Sequence, residues 1–212
     1  MLKQKFESIE LSFDEIFYKR CEQFTSLLKQ WGAVHSLTAQ LKNDEIENNI
    51  VDSIYPLKFL NSFDSLADIG TGAGYPGMLL AIAKPEQKVV LIEPKAKRVA
   101  FLNFVKNTLK LQNVQVIQKR VEELNPTIRY DIITSRAVTN TALLLSLTNN
   151  ISRADTEYLF YKGSLCQEEI KEAKLKNYEI ISLANQNINE HRNYLYMKKQ
   201  DLFQKNGSFD DI

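Results

Sequence analysis

The segment Leu66-Ala-Asp-Ile-Gly-Thr-Gly-Ala-Gly-Tyr-Pro-Gly77 decides how this chain folds. A short apolar run with Asp68 near its end precedes three glycines at alternate positions, and Pro76 opens an apolar stretch that suits a helix. Glycine has no Cβ atom, so the backbone can turn sharply and approach a ligand closely. Proline is favoured in the first helical turn. The segment therefore predicts a strand, a tight turn and a helix whose first N–H groups can bind a polar ligand.

Composition and charge set the limits of the interpretation. The 212 residues are 44% hydrophobic with a formal net charge of +1, which suits one large domain or one domain with an appendage. The balanced charge does not by itself indicate a nucleic-acid-binding protein, although a neutral total can hide a basic face. Two distant cysteines and no clustered histidines predict neither a zinc site nor a disulfide. Without a signal-peptide core or a membrane-spanning stretch, we expect a cytoplasmic protein with no membrane partner.

The first part of the chain has apolar residues at helical spacing. They predict one helix from Phe13 to Trp31, ended by Gly32, and a second from Asn43 to about Leu60. No glycine-rich linker follows. We therefore interpret residues 1–60 as a helical subdomain packed on the main domain.

The main domain is predicted over residues 61–200, where short β-type runs alternate with helical segments. This alternation favours a mostly parallel sheet with helices on both faces. The last two strands are joined only by a short polar loop, so they must form an antiparallel hairpin. Residues 201–212 are polar and are expected to be disordered. The predicted strands are Leu66–Ile69, Val89–Ile92, Val114–Ile117, Asp131–Thr134, Glu157–Tyr161, Tyr178–Leu183 and Tyr194–Lys198, and the predicted helices are 76–84, 95–110 and 139–149.

The glycine turn differs from a dinucleotide fingerprint, which has the spacing G-x-G-x-x-G. Gly70, Gly72 and Gly74 follow the spacing G-x-G-x-G, and Tyr75 stands where the third glycine should be. A bulky residue there obstructs a pyrophosphate, so the loop suits an adenosine with a compact polar arm. S-adenosylmethionine is such a ligand, and Asp68 could hold its ammonium group directly or through water. The alternative is a tight strand–helix turn without a ligand.

Acidic residues follow the next two strands. Glu93 lies 19 residues past Gly74, about where an acid meets ribose hydroxyls in nucleotide-binding sheets; the alternative is a solvated carboxylate. After the third strand, the backbone of Val121 and the carboxylate of Glu122 could contact the adenine. Glu122 could equally cap the following turn.

Cations follow other strands at the same predicted edge. Arg136 ends the fourth strand and could hold the methionine carboxylate, a substrate phosphate or the face of a base, unless it only makes a surface ion pair. Lys162 follows the fifth strand. Lys95, Lys97 and Arg98 begin a basic helix and could contact phosphates.

These motifs together resemble the small-subunit ribosomal RNA methyltransferase G family. Asp68–Gly77 resembles its signature D-[IV]-G-[ST]-G-x-G-[FL]-P-G, and the similarity runs in order from about residue 25 to 198. This chain departs from the family pattern at Tyr75, at Ser36 and at Asn49. Further matches are Ser36–Thr38 (N-L-T), Asp52-Ser53 (H-x-x-D-S), Lys97–Leu102 (K-R-x-x-F-L), Arg120–Glu123 (R-x-E-[ED]), Ser135–Ala137 (S-R-A), Lys162-Gly163 (K-G), and Arg192 with Tyr194–Lys198 (R-x-L-x-x-x-K).

The resemblance implies a class I S-adenosylmethionine-dependent methyltransferase. Its fold would be α/β and Rossmann-like: a seven-stranded, mostly parallel sheet with a C-terminal antiparallel strand and an N-terminal helical extension. The implied reaction is methylation of a guanine N7 in the 530 loop of 16S rRNA, presented as naked rRNA, a precursor particle or the small ribosomal subunit. We expect a monomer. The implied ligand contacts are Gly70, Tyr75, Val121, Glu122 and Arg136, with Glu93.

The implied reaction requires little acid–base chemistry, because guanine N7 has a lone pair and no proton. Alignment of the reactants would be the main contribution, about 7–11 kcal/mol when they are well oriented, and the base must be accessible. Arg136, Lys162 and Arg192 are predicted to hold RNA or the base, and Arg192 could instead make a rim ion pair. The alternative functions are a small-molecule methyltransferase of the same fold and a non-catalytic ribosome-assembly factor; a nicotinamide-dependent enzyme ranks last.

Overall fold

The computed structural model describes residues 1–35, 37–124, 127–183 and 192–202. Seven strands form one sheet in the order β3-β2-β1-β4-β5-β7-β6. The first five strands are parallel, and β7 runs antiparallel to both of its neighbours. The predicted mostly parallel sheet and its antiparallel end are therefore confirmed. The strands are β1 (Ser65–Ile69), β2 (Lys88–Ile92), β3 (Val114–Ile117), β4 (Ile132–Arg136), β5 (Glu157–Lys162), β6 (Glu179–Ser182) and β7 (Asn193–Lys198).

Helices precede the sheet and connect its strands. Within the described residues, no helix is both long and apolar enough to cross a membrane. The helix between β5 and β6, Cys166–Glu172, was not among the predicted helices. The helices are α1 (Leu2–Glu7), α2 (Glu15–His35), α3 (Asn43–Ile54), α4 (Gly77–Ala83), α5 (Ala96–Thr108), α6 (Thr141–Thr148) and α7 (Cys166–Glu172).

Two predicted helix ends are wrong. The helix α2 continues through Gly32, where an added Cβ would lie 2.6 Å from Leu41 Cδ2, so this glycine allows close packing and does not end the helix. The helix α3 stops at Ile54 and a 3₁₀ turn, Tyr55–Lys58, follows it. Pro56 in that turn has no N–H group to continue the α-helical hydrogen-bond pattern.

The core consists of two apolar layers, one on each face of the sheet. Alternate residues of the central strands point into opposite layers, so Val89 and Leu91 join one and Val90 and Ile92 the other. Strands buried on both faces read as continuous apolar runs. The first layer also contains residues of α2, α3, α4 and α5, so the N-terminal helices share a core with the sheet. The division at residue 60 stays a prediction.

The parallel arrangement gathers the loops that carry the predicted site. Ile69 at the end of β1 pairs with Ile92 of β2 and with Ser135 of β4. Lys162 at the end of β5 pairs with Asn193 at the start of the antiparallel β7. The loops that follow these strands therefore lie at one edge of the sheet, together with the segment that enters β7.

Candidate functional site

The glycine loop after β1 has an unusual backbone with one open position. Gly70, Gly72 and Gly74 have φ angles of +65°, +61° and +100°. A Cβ added at Gly70 would lie 2.5 Å from Val138 Cγ2, and one at Gly74 would lie 2.9 Å from Met78 Cβ. At Gly72 an added Cβ would lie 3.9 Å from both Arg98 Nη1 and the Gly70 carbonyl oxygen. Of the three loop glycines, Gly72 is thus the one whose neighbours would meet a side chain at ordinary contact distance.

The first N–H groups of α4 are already bonded within the protein. The N–H of Gly77 donates to Asp68 Oδ2 at 2.8 Å. The next three N–H groups donate to backbone carbonyls at 2.9 to 3.1 Å, and these residues are buried. The prediction that this helix start binds a polar ligand is therefore wrong. The sequence here is similar to that of an anion-binding helix start, but Asp68 of the preceding strand β1 accepts the first N–H group.

Asp68 is fully buried beneath the loop. Burial raises the pKa of its carboxyl group to about 7, although the nearby Thr71 hydroxyl and the Gly77 N–H lower it in part. Its Oδ1 atom has no hydrogen-bond partner among the described residues. Asp68 therefore anchors the start of α4, and its contact with a ligand ammonium stays a prediction.

Glu93 is placed directly against the loop. Its side chain is buried, so the alternative of a solvated carboxylate is wrong. Oε2 accepts a hydrogen bond from the N–H of Gly72 at 3.0 Å, and Oε1 accepts one from the N–H of Lys95 at 3.0 Å. Arg98 Nη1 lies 3.5 Å from Oε2. An acid and the open glycine thus share one corner of the candidate site.

The turn after β3 separates the two roles considered for Glu122. The residue that caps the turn is Glu123, whose Oε2 accepts a hydrogen bond from the N–H of Arg120 at 3.3 Å. Glu122 is exposed, and Val121 is buried. Glu122 makes no capping hydrogen bond among the described residues, and adenine contact by Val121 and Glu122 stays a prediction.

The side chain of Tyr75 turns towards the N-terminal helices. Its ring meets Phe24 of α2 edge to face at 5.6 Å between centroids, and Arg136 Cζ lies 5.6 Å from the Tyr75 ring centroid. The hydroxyl is buried without a hydrogen-bond partner among the described residues, and burial raises its pKa. The predicted ligand contact of Tyr75 remains untested.

Arg136 lies inside the protein at the end of β4. Its Nη1 is 3.2 Å from Asp52 Oδ2, and its Nη2 donates to Asn49 Oδ1. Both partners belong to α3. Only 15% of the arginine side chain is exposed, so the surface ion pair is excluded as an alternative. Burial lowers the pKa of the guanidinium, and the nearby Asp52 carboxylate opposes that shift.

Arg192 reaches the same carboxylate from the start of β7. Its Nε lies 2.8 Å from Asp52 Oδ1. The Tyr194 hydroxyl donates to Oδ1 at 2.9 Å and to the Asp52 carbonyl at 3.0 Å. That carbonyl is the one Pro56 cannot bond within the helix, because proline lacks an N–H. Arg192 thus makes the ion pair considered above, but in the interior and not at a rim.

Lys162 is buried at the end of β5. Its Nζ lies 2.6 Å from Glu169 Oε2 and donates to the Thr139 carbonyl at 3.2 Å. Glu169 also accepts hydrogen bonds from the N–H and hydroxyl of Thr141, both at 2.8 Å. The cation is neutralised between α6 and α7, and its predicted role towards RNA remains untested.

The other cations lie at the ends of β2 and β3. Lys95 and Lys97 are exposed and have no ion-pair partner in the described part of the chain, and the same holds for Lys119 and Arg120. Apart from Arg98, which is half-buried and lies beside Glu93, the cations named here form two groups: a buried, paired group after β4 and β5 and before β7, and an exposed group after β2 and β3. Ser36 and His191 lie outside the described residues.

Asp52 and Asn49 are the site residues to which the sequence assigned no role. Asp52 sits in Ile50-Val51-Asp52-Ser53-Ile54, and all five residues are buried. A continuous buried run of this length is not typical of a helix with one exposed face. The acid inside it was the available signal, but its partners could not be identified from spacing.

Comparisons with known proteins identify the family and the fold class of this chain. The sequence model described as rRNA small subunit methyltransferase G matches residues 18–196. A protein named ribosomal RNA small subunit methyltransferase G from Aliarcobacter butzleri is 52% identical over 93% of this chain and 98% of its own length. The protein of that name from Wolinella succinogenes is 47% identical over 81% and 88%, respectively.

Solved structures show the same fold at low sequence identity. One is a putative S-adenosyl-L-methionine-dependent methyltransferase from Methanococcus maripaludis, with a TM-score of 0.57 and 14% identity over 92% of this chain and 98% of that chain. Another is a SAM-dependent methyltransferase from Aquifex aeolicus, with a TM-score of 0.53 and 15% identity over 70% and 89%. The predicted methyltransferase fold class is confirmed. By its sequence, the chain belongs to the rRNA small subunit methyltransferase G family.

Proposed function

We propose that this chain transfers a methyl group from S-adenosylmethionine to N7 of a guanine in the 530 loop of 16S rRNA. Membership of the rRNA small subunit methyltransferase G family is the observation that carries the proposal. Both relatives described above are named as ribosomal RNA methyltransferases. The guanine N7 target follows from the motif resemblance. We infer that the protein acts as a monomer in the cytoplasm.

The residues at the carboxyl edge of the sheet fit S-adenosylmethionine. A ligand could approach the backbone at Gly72, where an added Cβ would meet Arg98 Nη1 and the Gly70 carbonyl oxygen only at 3.9 Å. Each carboxylate oxygen of Glu93 accepts one backbone N–H, and their remaining lone pairs would accept a pair of ribose hydroxyls. The buried Asp68 retains an oxygen without a partner among the described residues, as an acceptor for an ammonium group.

The remaining contacts divide between the two ends of the cofactor. The turn at Val121 and Glu122 would hold the adenine, while Tyr75 and Arg136 would lie at the methionine end. The bound cofactor supplies an electrophilic methyl group. This chain supplies no general base in the proposal, because the lone pair of guanine N7 is available without loss of a proton. The task of the protein is then to hold the base in line with the methyl group.

The two groups of cations suggest a division of labour towards RNA. Lys95, Lys97, Lys119 and Arg120 are exposed and would bind phosphates, which position a nucleic acid without reading its bases. Arg136 and Arg192 are held in the interior and would contact the base itself.

The test is a methylation assay on small ribosomal subunits that lack the modification, with the labelled base mapped afterwards. We expect one labelled guanine in the 530 loop, with the label at N7. Naked 16S rRNA and precursor particles, assayed in parallel, identify the preferred substrate. A label at another base would contradict the proposed position.

Two binding measurements separate the alternatives. Calorimetry with S-adenosylmethionine distinguishes an enzyme from a non-catalytic assembly factor, which would show no binding. Affinity for rRNA should fall with salt, because each phosphate contact releases counterions. Cofactor binding without salt-dependent RNA binding would favour a small-molecule methyltransferase.

A further inference from the structure

One buried carboxylate connects three distant parts of the chain. Asp52 of α3 is fully buried, and its two oxygens lie 3.2 Å from Arg136 Nη1 and 2.8 Å from Arg192 Nε. The arginines come from the end of β4 and the start of β7. Both lie at the edge of the sheet that carries the glycine loop. A helix outside the sheet thus holds two side chains at the candidate site.

The charges of this cluster do not balance. Two guanidinium groups pair with one carboxylate, and the further partner of Arg136, Asn49, is neutral. The buried Asp68 also acts on Arg136 electrostatically but makes no ion pair with it among the described residues. A buried ion pair is often no more stabilising than apolar residues of the same size, and a surplus buried charge is costly. Stability alone therefore does not explain the arrangement. About 15% of each arginine side chain stays exposed, so both side chains reach the surface of this edge.

The cluster also contacts the glycine loop. Arg136 Cζ lies 5.6 Å from the ring centroid of Tyr75, which directly follows the last loop glycine. The Arg192 Nη1 donates to the carbonyl of Lys162 at 3.4 Å, at the end of β5. A change in the orientation of either guanidinium would therefore alter its contact with the segment that follows β1 or with the end of β5.

We propose that Asp52 is a positioning residue, which holds Arg136 and Arg192 in the orientation that methyl transfer requires. The inference rests on the proposed function and deepens it, because it assigns a task to the N-terminal helix α3. Asp52 acts through the two arginines and contacts no substrate. Its loss should therefore lower the rate of transfer at occupied sites more than it weakens binding.

The main variant is Asp52→Asn, which keeps the size of the side chain and removes its charge. We expect kcat per cofactor-binding site, counted by calorimetry, to fall at least about tenfold, while the KM for small subunits changes less than about threefold. Counting occupied sites removes the contribution of unfolded protein. An unchanged kcat per occupied site would overturn the proposal.

Tyr161→Phe is the matched control. The Tyr161 hydroxyl donates to the carbonyl of Ser53, the residue after Asp52, at 2.7 Å. Its removal loosens the same contact between α3 and the sheet but leaves both ion pairs of Asp52 in place. We expect kcat per occupied site to stay within about twofold of the unmodified chain. An equal loss in both variants would mean that Asp52 has only a structural role.

A double-mutant cycle tests whether Asp52 acts through Arg136. The double variant Asp52→Asn, Arg136→Gln should lose more activity per site than Arg136→Gln alone, because Arg192 is also released, but clearly less than the product of the two single losses, because interacting residues are not additive. Multiplied losses would overturn the proposal. If Asp52→Asn does not fold, Asn49→Ala is used in its place, because it removes the other α3 acceptor of Arg136. We expect kcat per occupied site to fall about threefold in that variant, and an unchanged value would overturn the proposal.

A measurement without turnover keeps this inference separate from the proposed function. In NMR spectra of ¹⁵N-labelled protein, the guanidinium N–H signals of Arg136 and Arg192 should be resolved in the unmodified chain. In Asp52→Asn they should be lost, because the N–H hydrogens exchange faster with solvent. Unchanged signals would overturn the positioning role. If the unmodified chain transfers no methyl group to any small-subunit substrate, the proposed function fails, and these signals still decide whether Asp52 orients the arginines.

Discussion

The glycine loop and the Asp52 cluster occupy the same edge of the sheet but are built in opposite ways. The loop consists of consecutive residues, uses backbone conformation and leaves open space at Gly72. The cluster joins residues 52, 136 and 192 through charged side chains that are almost fully buried. A short stretch of consecutive residues can thus form a binding surface, whereas the orientation of charged side chains depends on residues that the tertiary fold brings together. Variants in the two regions should therefore fail in different ways.

The largest effect is expected from Asp52→Ala. Two buried guanidinium groups would lose their carboxylate, so the free energy of unfolding in urea should fall by about 4 kcal/mol. Asp155→Ala is the control, because the Asp155 carboxylate pairs with an exposed Arg153, and exposed pairs contribute about 0–1 kcal/mol. Equal losses in the two variants would remove the distinction between the cluster and an ordinary surface pair.

Gly72→Asp should fail in the opposite way. The new side chain enters the open space and places a negative charge beside Glu93, so the affinity for S-adenosylmethionine should fall at least about 100-fold, or roughly 3 kcal/mol. The unfolding free energy should change by only about 1 kcal/mol, because aspartate tolerates a positive φ better than most residues. Gly163→Asp adds the same charge where no atom lies within 4 Å. Calorimetry that shows normal affinity in Gly72→Asp would exclude the loop as the binding site.

The pH dependence of stability should identify Asp68 at the loop. Burial raises the pKa of this group to about 7, so the folded chain keeps a proton that the unfolded chain releases at lower pH. Its contribution to stability is therefore present below about pH 4 and is lost as pH rises towards 7. From pH 5 to pH 7 the unmodified chain should lose about 2 kcal/mol relative to Asp68→Asn. If urea unfolding gave the same difference in unfolding free energy between the two proteins at pH 5 and at pH 7, this prediction would be contradicted.

The smallest effect concerns the residue between the two regions. The Tyr75 hydroxyl is buried and has no partner among the described residues, so Tyr75→Phe should raise the unfolding free energy by up to about 1 kcal/mol. Tyr161→Phe should lower it by a similar amount, because it removes a buried hydrogen bond. The family pattern has phenylalanine or leucine at position 75. A loss of stability in Tyr75→Phe would indicate a partner for this hydroxyl.

The sequence was sufficient for features that depend on neighbouring residues. The strand pattern predicted the seven-stranded sheet, because strands buried on both faces are continuous apolar runs. The spacing of the glycines predicted the loop, and the position of Glu93 predicted its place beside that loop. In each case a regular backbone and a fixed number of residues determine where the side chain lies.

Features that depend on partners elsewhere in the chain were missed. Gly32 has the composition of a helix end, but Leu41 packs against it and the helix continues. The start of α4 has the composition of an anion site, but Asp68 of the neighbouring strand occupies its first N–H group. Arg136, Lys162 and Arg192 were expected to hold RNA or the base, yet the two arginines pair with the buried Asp52 and the lysine pairs with the half-buried Glu169. No spacing rule connects Asp52 with residues 136 and 192.

The position of β7 has a consequence for the order of synthesis. This strand is close to the end of the described chain, yet it lies between β5 and β6 in the sheet. Domains generally fold from the N-terminus as the chain emerges from the ribosome, but here β6 has no neighbouring strand until residues 193–198 have been made. Arg192 reaches Asp52 only at that stage. A nascent chain that stops before residue 192 therefore carries the complete glycine loop but an incomplete Asp52 cluster, and we expect such truncated chains to be substrates for quality-control proteases.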